Sequence, residues 1–419
     1  MWRTTFKWLC LALLCSVSTA FAENWPCWRG PRGDGSSSET NLPTEWSATE
    51  NIAWKTALPG IAHSSPIVWE DRIFTNSCDT EKEERLLVCL DRRNGKILWQ
   101  QVVMKSPLEG KHKLNSYASS TPATDGALVY TSFLDRSDMV VTAYDFSGKQ
   151  KWLVRPGQFA SKHGFCSSPV IYKDLLIVNG DHDGESYLVA LDKNTGETKW
   201  KVARAQKTRS YSVPLLREVN GKMQMFLAGS HNISGYNPDD GTLIWNVNTD
   251  HLDIEQYVAS IVYSHGLIFV TAGFPDRHLL AIRPDGSGDV TKTHIQWQHA
   301  REGVSYVPSP VAEGDYFYVV SDNGIGSQFN AKTGQRSWLQ RMGRHFSASL
   351  VNGGGLVYFL DDDGNTTVIK PGDEYQVISK NTIADAFYSS PAISQGQIFL
   401  RSETHLYAIG QSTKTASAK

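Results

Sequence analysis

Short runs of β-branched and aromatic residues recur along this chain, broken by turns rich in Gly, Asn and Asp, and this is the pattern of strands and hairpins. One unit reads Ile67-Val68-Trp69, a polar turn at Glu70-Asp71, then Arg72-Ile73-Phe74-Thr75. In a later unit the third strand, Tyr187 to Asp192, meets the turn Lys193-Asn194-Thr195-Gly196, and a fourth strand carries Trp200. Seven tryptophans (Trp54, Trp99, Trp152, Trp200, Trp245, Trp297 and Trp338) follow one another at intervals of 41 to 53 residues. Five of them stand four positions after a glycine: Gly95, Gly148, Gly196, Gly241 and Gly334. A period of about 45 residues with four strands per period predicts a radial array of sheets.

The count of units closes a ring. Each opens on a small-residue motif: Ser64-Ser65-Pro66, Ser120-Thr121-Pro122, Ser167-Ser168-Pro169, Ser212-Val213-Pro214, Ala259-Ser260-Ile261, Pro308-Ser309-Pro310, Ala348-Ser349-Leu350 and Ser389-Ser390-Pro391. The first six units end in a tryptophan, and the seventh has Val377-Ile378 instead. The eighth stops after its third strand, at Leu406 to Gly410, while an orphan strand, Ile52-Ala53-Trp54-Lys55, precedes the first. Pairing those two segments removes two open strand edges at once. The expected fold is therefore all-β, an eight-bladed β-propeller of four-stranded antiparallel blades, closed by an N-terminal strand in the last blade. The seven tryptophans are expected to be structural, each wedged against a neighbouring blade and its turn and burying roughly 150–250 Å².

Composition narrows the setting. Hydrophobic residues make up 40% of the 419 positions and aromatics 11%, enough for a large core, and the formal charge of -2 provides no field to recruit nucleic acid. Arg3 and Lys7, the apolar run Trp8 to Val17 and Ala20-Phe21-Ala22 read as a secretory signal. That apolar run is too short to span a bilayer, so no transmembrane segment is expected in the mature chain. The expected organisation is a signal peptide at 1–22, an N-terminal arm at 23–45, the propeller at 46–410 and a short polar, flexible tail at 411–419. Trp25, Trp28 and Trp46 are too apolar to stay wet, so the arm should pack on the ring. Export permits disulfides. Cys78 and Cys89 flank a polar hairpin tip and either pair across neighbouring strands or remain free and buried; no cysteine spacing suggests zinc.

The pattern Asp-x-x-x-Gly-x-x-x-Trp stands at Asp91 to Trp99 and Asp192 to Trp200, with variants at Asn237 to Trp245 and Asn330 to Trp338. It resembles the tryptophan-docking repeat of the pyrroloquinoline-quinone-like propeller family, and the resemblance runs from about Trp46 to Gly410. The leader Trp25-Pro26-Cys27-Trp28-Arg29-Gly30-Pro31, followed by Asp34-Gly35, is similar to that of exported members known mainly from planctomycete-type bacteria. The resemblance implies two kinds of function. Some members are quinone-dependent alcohol or sugar dehydrogenases with a vicinal disulfide, calcium ligands and a catalytic aspartate. Others, such as the outer-membrane assembly lipoprotein, are non-catalytic. This chain has no adjacent cysteines and no Cys-x-x-Cys-His haem signal, and it is shorter than those enzymes.

In a propeller the loops leading into the first strands ring one mouth of the axial channel. Those loops carry the candidate rim residues His63, Tyr117, His163, Arg209, Tyr211, Glu255, Tyr257, Glu302, Tyr306, His345 and Tyr388. Aromatic faces with both signs of charge suit a concave binding site, and the same aromatics could equally plug the channel. The tracts Asp361 to Asn365 and Asp181 to Glu185 look faintly calcium-like but fit hairpin tips better, and no metal site is expected. The leading reading is a periplasmic or secreted monomer without cofactor. It would be a non-catalytic scaffold binding an envelope protein, a peptide or a polysaccharide at one rim. The alternative is a quinone-dependent dehydrogenase with a diverged site, and a glycan-acting enzyme is a weaker third.

Overall fold

Residues 23–411 are described by the computed structural model, except Gln206, Ser230, Asp253 and the side chain of Glu255. The expected signal segment, 1–22, and all of the expected tail beyond Gln411 lie outside the described residues. The strands form eight sheets arranged as propeller blades, antiparallel but for one added edge strand, and seven of them run in chain order from a short inner strand to an outer one. Blade 1 consists of Ile67–Trp69, Arg72–Asp79, Glu84–Asp91 and Ile97–Lys105. The middle strands are almost wholly buried and the outer ones alternate between half-buried and exposed, as a sheet packed on both faces only near the axis requires. In blade 8 the strand Ile52–Ala57 pairs antiparallel with His405–Ile409, with Trp54 opposite Ala408 and Thr56 opposite Leu406. The ring is thus closed by the chain's N-terminal strand.

The tryptophans tie one blade to the next. Trp54 donates its indole N–H to the Arg92 carbonyl of blade 1 at 2.8 Å, and Trp99, Trp152 and Trp297 do the same to Phe146, Lys193 and Ala331 at 3.0, 3.0 and 3.2 Å. Each of these rings lies on the turn glycine of the following blade, so a Cβ at Gly95 would stand 2.4 Å from Trp54 and one at Gly196 2.8 Å from Trp152. The glycine four residues before a tryptophan therefore serves the preceding blade's indole. Trp245 and Trp338 instead donate within their own blades, to Gln224 and Gln328 at 2.9 and 3.0 Å. The blade after Trp245 has lost the short turn: its longer excursion adds Gly288–Asp289 as a parallel edge strand beside Trp245 and Asn246.

The small-residue motifs meet at the axis. Seven of the eight place a hydroxyl there, and Val213 takes the position in blade 4. Six of these seven hydroxyl oxygens accept the backbone N–H of the corresponding residue one blade earlier: Ser65 to Thr121 (3.1 Å), Thr121 to Ser168 (2.9 Å), Ser260 to Ser309 (2.9 Å), Ser309 to Ser349 (3.0 Å), Ser349 to Ser390 (2.9 Å) and Ser390 to Ser65 (3.0 Å). Val213 interrupts this circular chain because it has no acceptor to offer Ser168.

The arm crosses the face made by the turns that follow the inner strands. Trp25 exchanges two backbone hydrogen bonds of 2.8 Å with Val68, and the Asn24 carboxamide accepts the Glu70 N–H in the blade 1 turn at 2.7 Å. Farther along, Arg217 of blade 4 binds Asp34 at 2.5 Å, Ser37 donates to the Asn352 carbonyl of blade 7 at 2.8 Å, and Glu39 receives the Gln395 and Gly396 N–H groups of blade 8 at 2.5 Å each.

Of the two alternatives for Cys78 and Cys89 the structure shows the second: no disulfide joins them, and both thiols are free and buried. Cys78 lies opposite Arg85 and Cys89 opposite Phe74, so the two cysteines sit four register positions apart (78 against 74). At roughly 3.3 Å per strand residue that offset exceeds the reach of a disulfide. Burial pushes the Cys78 thiol up to about 11 and that of Cys89 to about 12. Both belong to the apolar core between blades 1 and 2.

Candidate functional site

On the face opposite the arm, the loops leading into the inner strands surround an open axial cavity of about 440 Å³. Its floor is formed by Ser168, Val213, Ser260, Ser309, Ser349 and Ser390 of the axial ring. Trp28 reaches it from the arm and donates its indole N–H to Ser260 Oγ at 2.8 Å. Above the floor stand Tyr211, Val258, Tyr306, Val307 and Tyr388, and the mouth carries Leu114, Lys162 and Phe274. Phe274 is 52% exposed. It is placed there because the long strand Leu267–Pro275 overshoots its blade and pairs with the lead-in segment Ile254–Gln256.

Six of the candidate rim residues converge on this cavity: His63, His163, Tyr211, Tyr306, His345 and Tyr388. Arg209 stands just behind them, donating to Asp183 Oδ1 at 2.7 Å and to His163 Nδ1 at 3.4 Å. Tyr117 packs outside the cavity beneath the cations of Arg85 and Lys111, 5.7 and 5.0 Å from its ring centre. Tyr257 is core rather than rim: it is 1% exposed and its hydroxyl meets Thr249 at 2.6 Å. Glu302 is an exposed surface residue away from the lining. The Glu255 side chain lies outside the described residues.

The hairpin tips between second and third strands add the acidic groups of the rim. Asp362 Oδ2 accepts His345 Nδ1–H at 2.5 Å, and its carboxylate also takes the Ser347 N–H and hydroxyl at 2.7 and 3.0 Å. Glu403 meets His63 at 3.4 Å, and the His63 ring lies 4.6 Å from that of Tyr388. Burial holds the His63 imidazole below its ordinary value despite the Glu403 charge. His163 is pushed down to about 4 by burial, then by the charges of Arg209, Lys162 and His112. These two rings are therefore neutral hydrogen-bonding groups at pH 7. The acidic tracts tested above for calcium are hairpin tips with internal partners: Asp181 binds Arg204 at 2.9 and 3.1 Å, and Asp361 holds Asn365 N–H at 2.7 Å.

The sequence pattern does not single out several contributors, among them Leu114, Phe274, His112, Asp322 and Trp28. His112 lies in the long polar loop before blade 2, in which only Tyr117 stands out as a rim candidate. Asp322 is a hairpin-tip residue, and Trp28 comes from an arm whose path the repeats do not specify. The serines were legible, but as strand openings rather than as a floor.

The calcium implied by the dehydrogenase branch does not fit these side chains. Among the described residues the cavity has one lining carboxylate, Asp322, and both its oxygens are engaged by Arg277 at 3.0 Å. Among the described residues no three His, Cys, Asp or Glu side chains converge as a metal site.

Comparison with known proteins agrees with this geometry. The crystal structure of BamB from Moraxella catarrhalis superposes with a TM-score of 0.60 at 16% identity, over 86% of this chain and 98% of that one. The quinohemoprotein alcohol dehydrogenase ADHIIG from Pseudomonas putida HK5 gives 0.65 at 12% identity, over 94% and 81%. A europium-containing methanol dehydrogenase gives 0.65 at 12%, over 90% and 89%. Likeness at such identities establishes the fold alone. In sequence, the outer membrane protein assembly factor BamB of Burkholderia pseudomallei (strain K96243) is 32% identical over 100 residues, 24% of this chain and 26% of that protein, so the match spans about a quarter of the relative's length. The profile of the family described as outer membrane protein assembly factor BamB matches residues 36–132, 82–340 and 250–417, nearly the whole chain, and the protein belongs to that family.

Proposed function

We propose that this protein is an exported, non-catalytic scaffold of the cell envelope that holds a protein or peptide segment at the open rim of its propeller. The observation that carries this reading is the asymmetry of the two faces. The chain's own arm covers one face, and the other presents an open cavity with tyrosines in its walls and exposed Leu114 and Phe274 at its mouth. Exposed apolar side chains gathered around a concavity mark an interaction site. The family name, an outer membrane assembly factor, supports an envelope location and a protein partner, with a polysaccharide as the less favoured occupant. Among the described residues no helix is long and apolar enough to cross a membrane. The tryptophan contacts between blades support a docking role that keeps the rim rigid.

A photo-crosslinking residue at Leu114 or Phe274 tests the proposal, with Leu243 on the outer strand of blade 4 as control. The expected outcome is a discrete adduct in intact envelopes from the rim positions and none from the control. The rim adduct should disappear when Tyr306 and Tyr388 are both changed to Ala. Equal capture from Leu243, or rim adducts indifferent to the double change, would refute it.

A further inference from the structure

The axial ring has hydrogen-bond capacity that the protein leaves unused. A serine hydroxyl both accepts and donates. Ser309, Ser349 and Ser390 each accept a neighbour's backbone N–H, yet among the described residues nothing accepts their own hydroxyl hydrogens. They are 2%, 4% and 4% exposed and line the cavity floor, so three buried donors face one empty volume.

The fully buried charges beside the ring are cationic. Arg29 and Arg401 are fully buried beside it, and each donates to the backbone of a ring motif: Arg29 to the Ser309 carbonyl and Arg401 to that of Ser64, both at 3.2 Å. Their remaining partners are other carbonyls and hydroxyls, such as Asp34 O, Thr75 Oγ1 and Asn76 O at 2.5 Å. The Nε–H of each has no acceptor. Two other buried arginines behave differently: Arg85 has Glu109 at 2.5 Å and Arg204 has Asp181 at 2.9 Å. Two nearby carboxylates are bound by other arginines, Asp34 by Arg217 and Asp322 by Arg277, although the Asp34 charge still reaches Arg29. A buried cation without a carboxylate directly bound to it is costly. Burial accordingly presses Arg29 down to about 10 and Arg401 to about 9.

We propose that the cavity floor is an anion site that receives the carboxylate of an apolar-bodied acid, hydrogen-bonded by Ser309, Ser349 and Ser390 and balanced by Arg29 and Arg401. The walls set the rest of the ligand: Tyr211, Tyr306, Tyr388, Val258 and Val307 offer flat and apolar faces, which suit an aromatic or aliphatic body. The carboxylate belongs either to a free acid or to the C terminus of a polypeptide. This inference does not rest on the scaffold reading.

Calorimetric titration of the full-length mature protein separates the possibilities. The probes are phenylacetate, its neutral counterpart phenylacetamide, and an acetylated apolar tripeptide with a free or an amidated C terminus. Saturable binding of phenylacetate is expected, at least about tenfold tighter than the amide, and Ser349→Ala and Ser390→Ala should each weaken it about tenfold, as loss of a charged hydrogen bond does. Val213→Ser completes the hydroxyl ring and should tighten it. Binding of the free-ended tripeptide but not the amidated one assigns the site to a chain terminus, and binding of phenylacetate alone assigns it to a small acid. The proposal is overturned if folded protein binds no carboxylate probe, if acid and amide bind alike, or if the alanine variants bind as the parent does. Should those variants fail to fold, unchanged or weaker binding by Val213→Ser overturns it. Rim crosslinking repeated on the same variants shows whether the scaffold reading stands or falls separately.

Discussion

His163 shows how one side chain's environment becomes a property of the fold. Its imidazole is held near 4 in the native state, against about 6.5 when unfolded, by burial and by Arg209, Lys162 and His112. Between those values the unfolded chain binds the proton and the native one does not, so stability must rise with pH across that window and fall on acidification. His63 and His182 are lowered for the same leading reason and act in the same direction. Melting temperatures taken from pH 7 to pH 5 are therefore expected to drop, and His163→Gln should flatten that slope without lowering stability at pH 7 by more than about 1 kcal/mol. A slope as steep in the variant as in the parent would place the titration elsewhere. His163 was legible from sequence as a rim residue. Its nearness to Arg209 was not, because the two are 46 positions apart and only neighbouring blades bring them together.

At the scale of the element, the outer-strand tryptophans couple the stability of one blade to that of the next. An outer-strand indole reaches over its neighbour's turn, buries its rings on a glycine and donates to the carbonyl exposed by that turn. Trp152→Ala removes all three contributions and is expected to cost about 3–5 kcal/mol in denaturant unfolding. Gly196→Ala attacks the same contact from the other blade. Its φ of 78° disfavours any Cβ, and the added methyl would stand 2.8 Å from the Trp152 ring. It should cost at least about 1–2 kcal/mol, and much less in a Trp152→Ala background than alone. Strictly additive losses would show that the two groups do not act as one contact. The repeat itself announced glycine and tryptophan together. Which glycine serves which tryptophan could not be read, since spacing along one chain segment does not say which turn packs beneath which blade.

For the whole molecule, closure is the decisive event. The strand Ile52–Ala57 covers the edge of His405–Ile409, residues almost at the other end of the chain. A chain that starts after Ala57 should expose that edge and elute as soluble oligomers or aggregates in size-exclusion chromatography, whereas a chain ending at Gln411 should remain a monomer. An intact monomer from the first truncation would contradict the role assigned to the seam. The sequence by itself determined the number of blades, their four-strand order and the partner of the orphan strand. Those follow from local period and from the need to leave no edge unpaired. Only the tertiary structure decided which rim side chains meet. Lead-in loops vary in length and course from blade to blade, so Tyr257 sank into the core and Glu302 turned outward while His112 reached the cavity, which Trp28 enters from the arm. It decided the cysteines too, because strand register rather than proximity to a hairpin tip sets which residues face each other. The serine motifs lie between these cases: their recurrence is plain in the sequence, but a circle of hydroxyls around an axis exists only once the ring has closed.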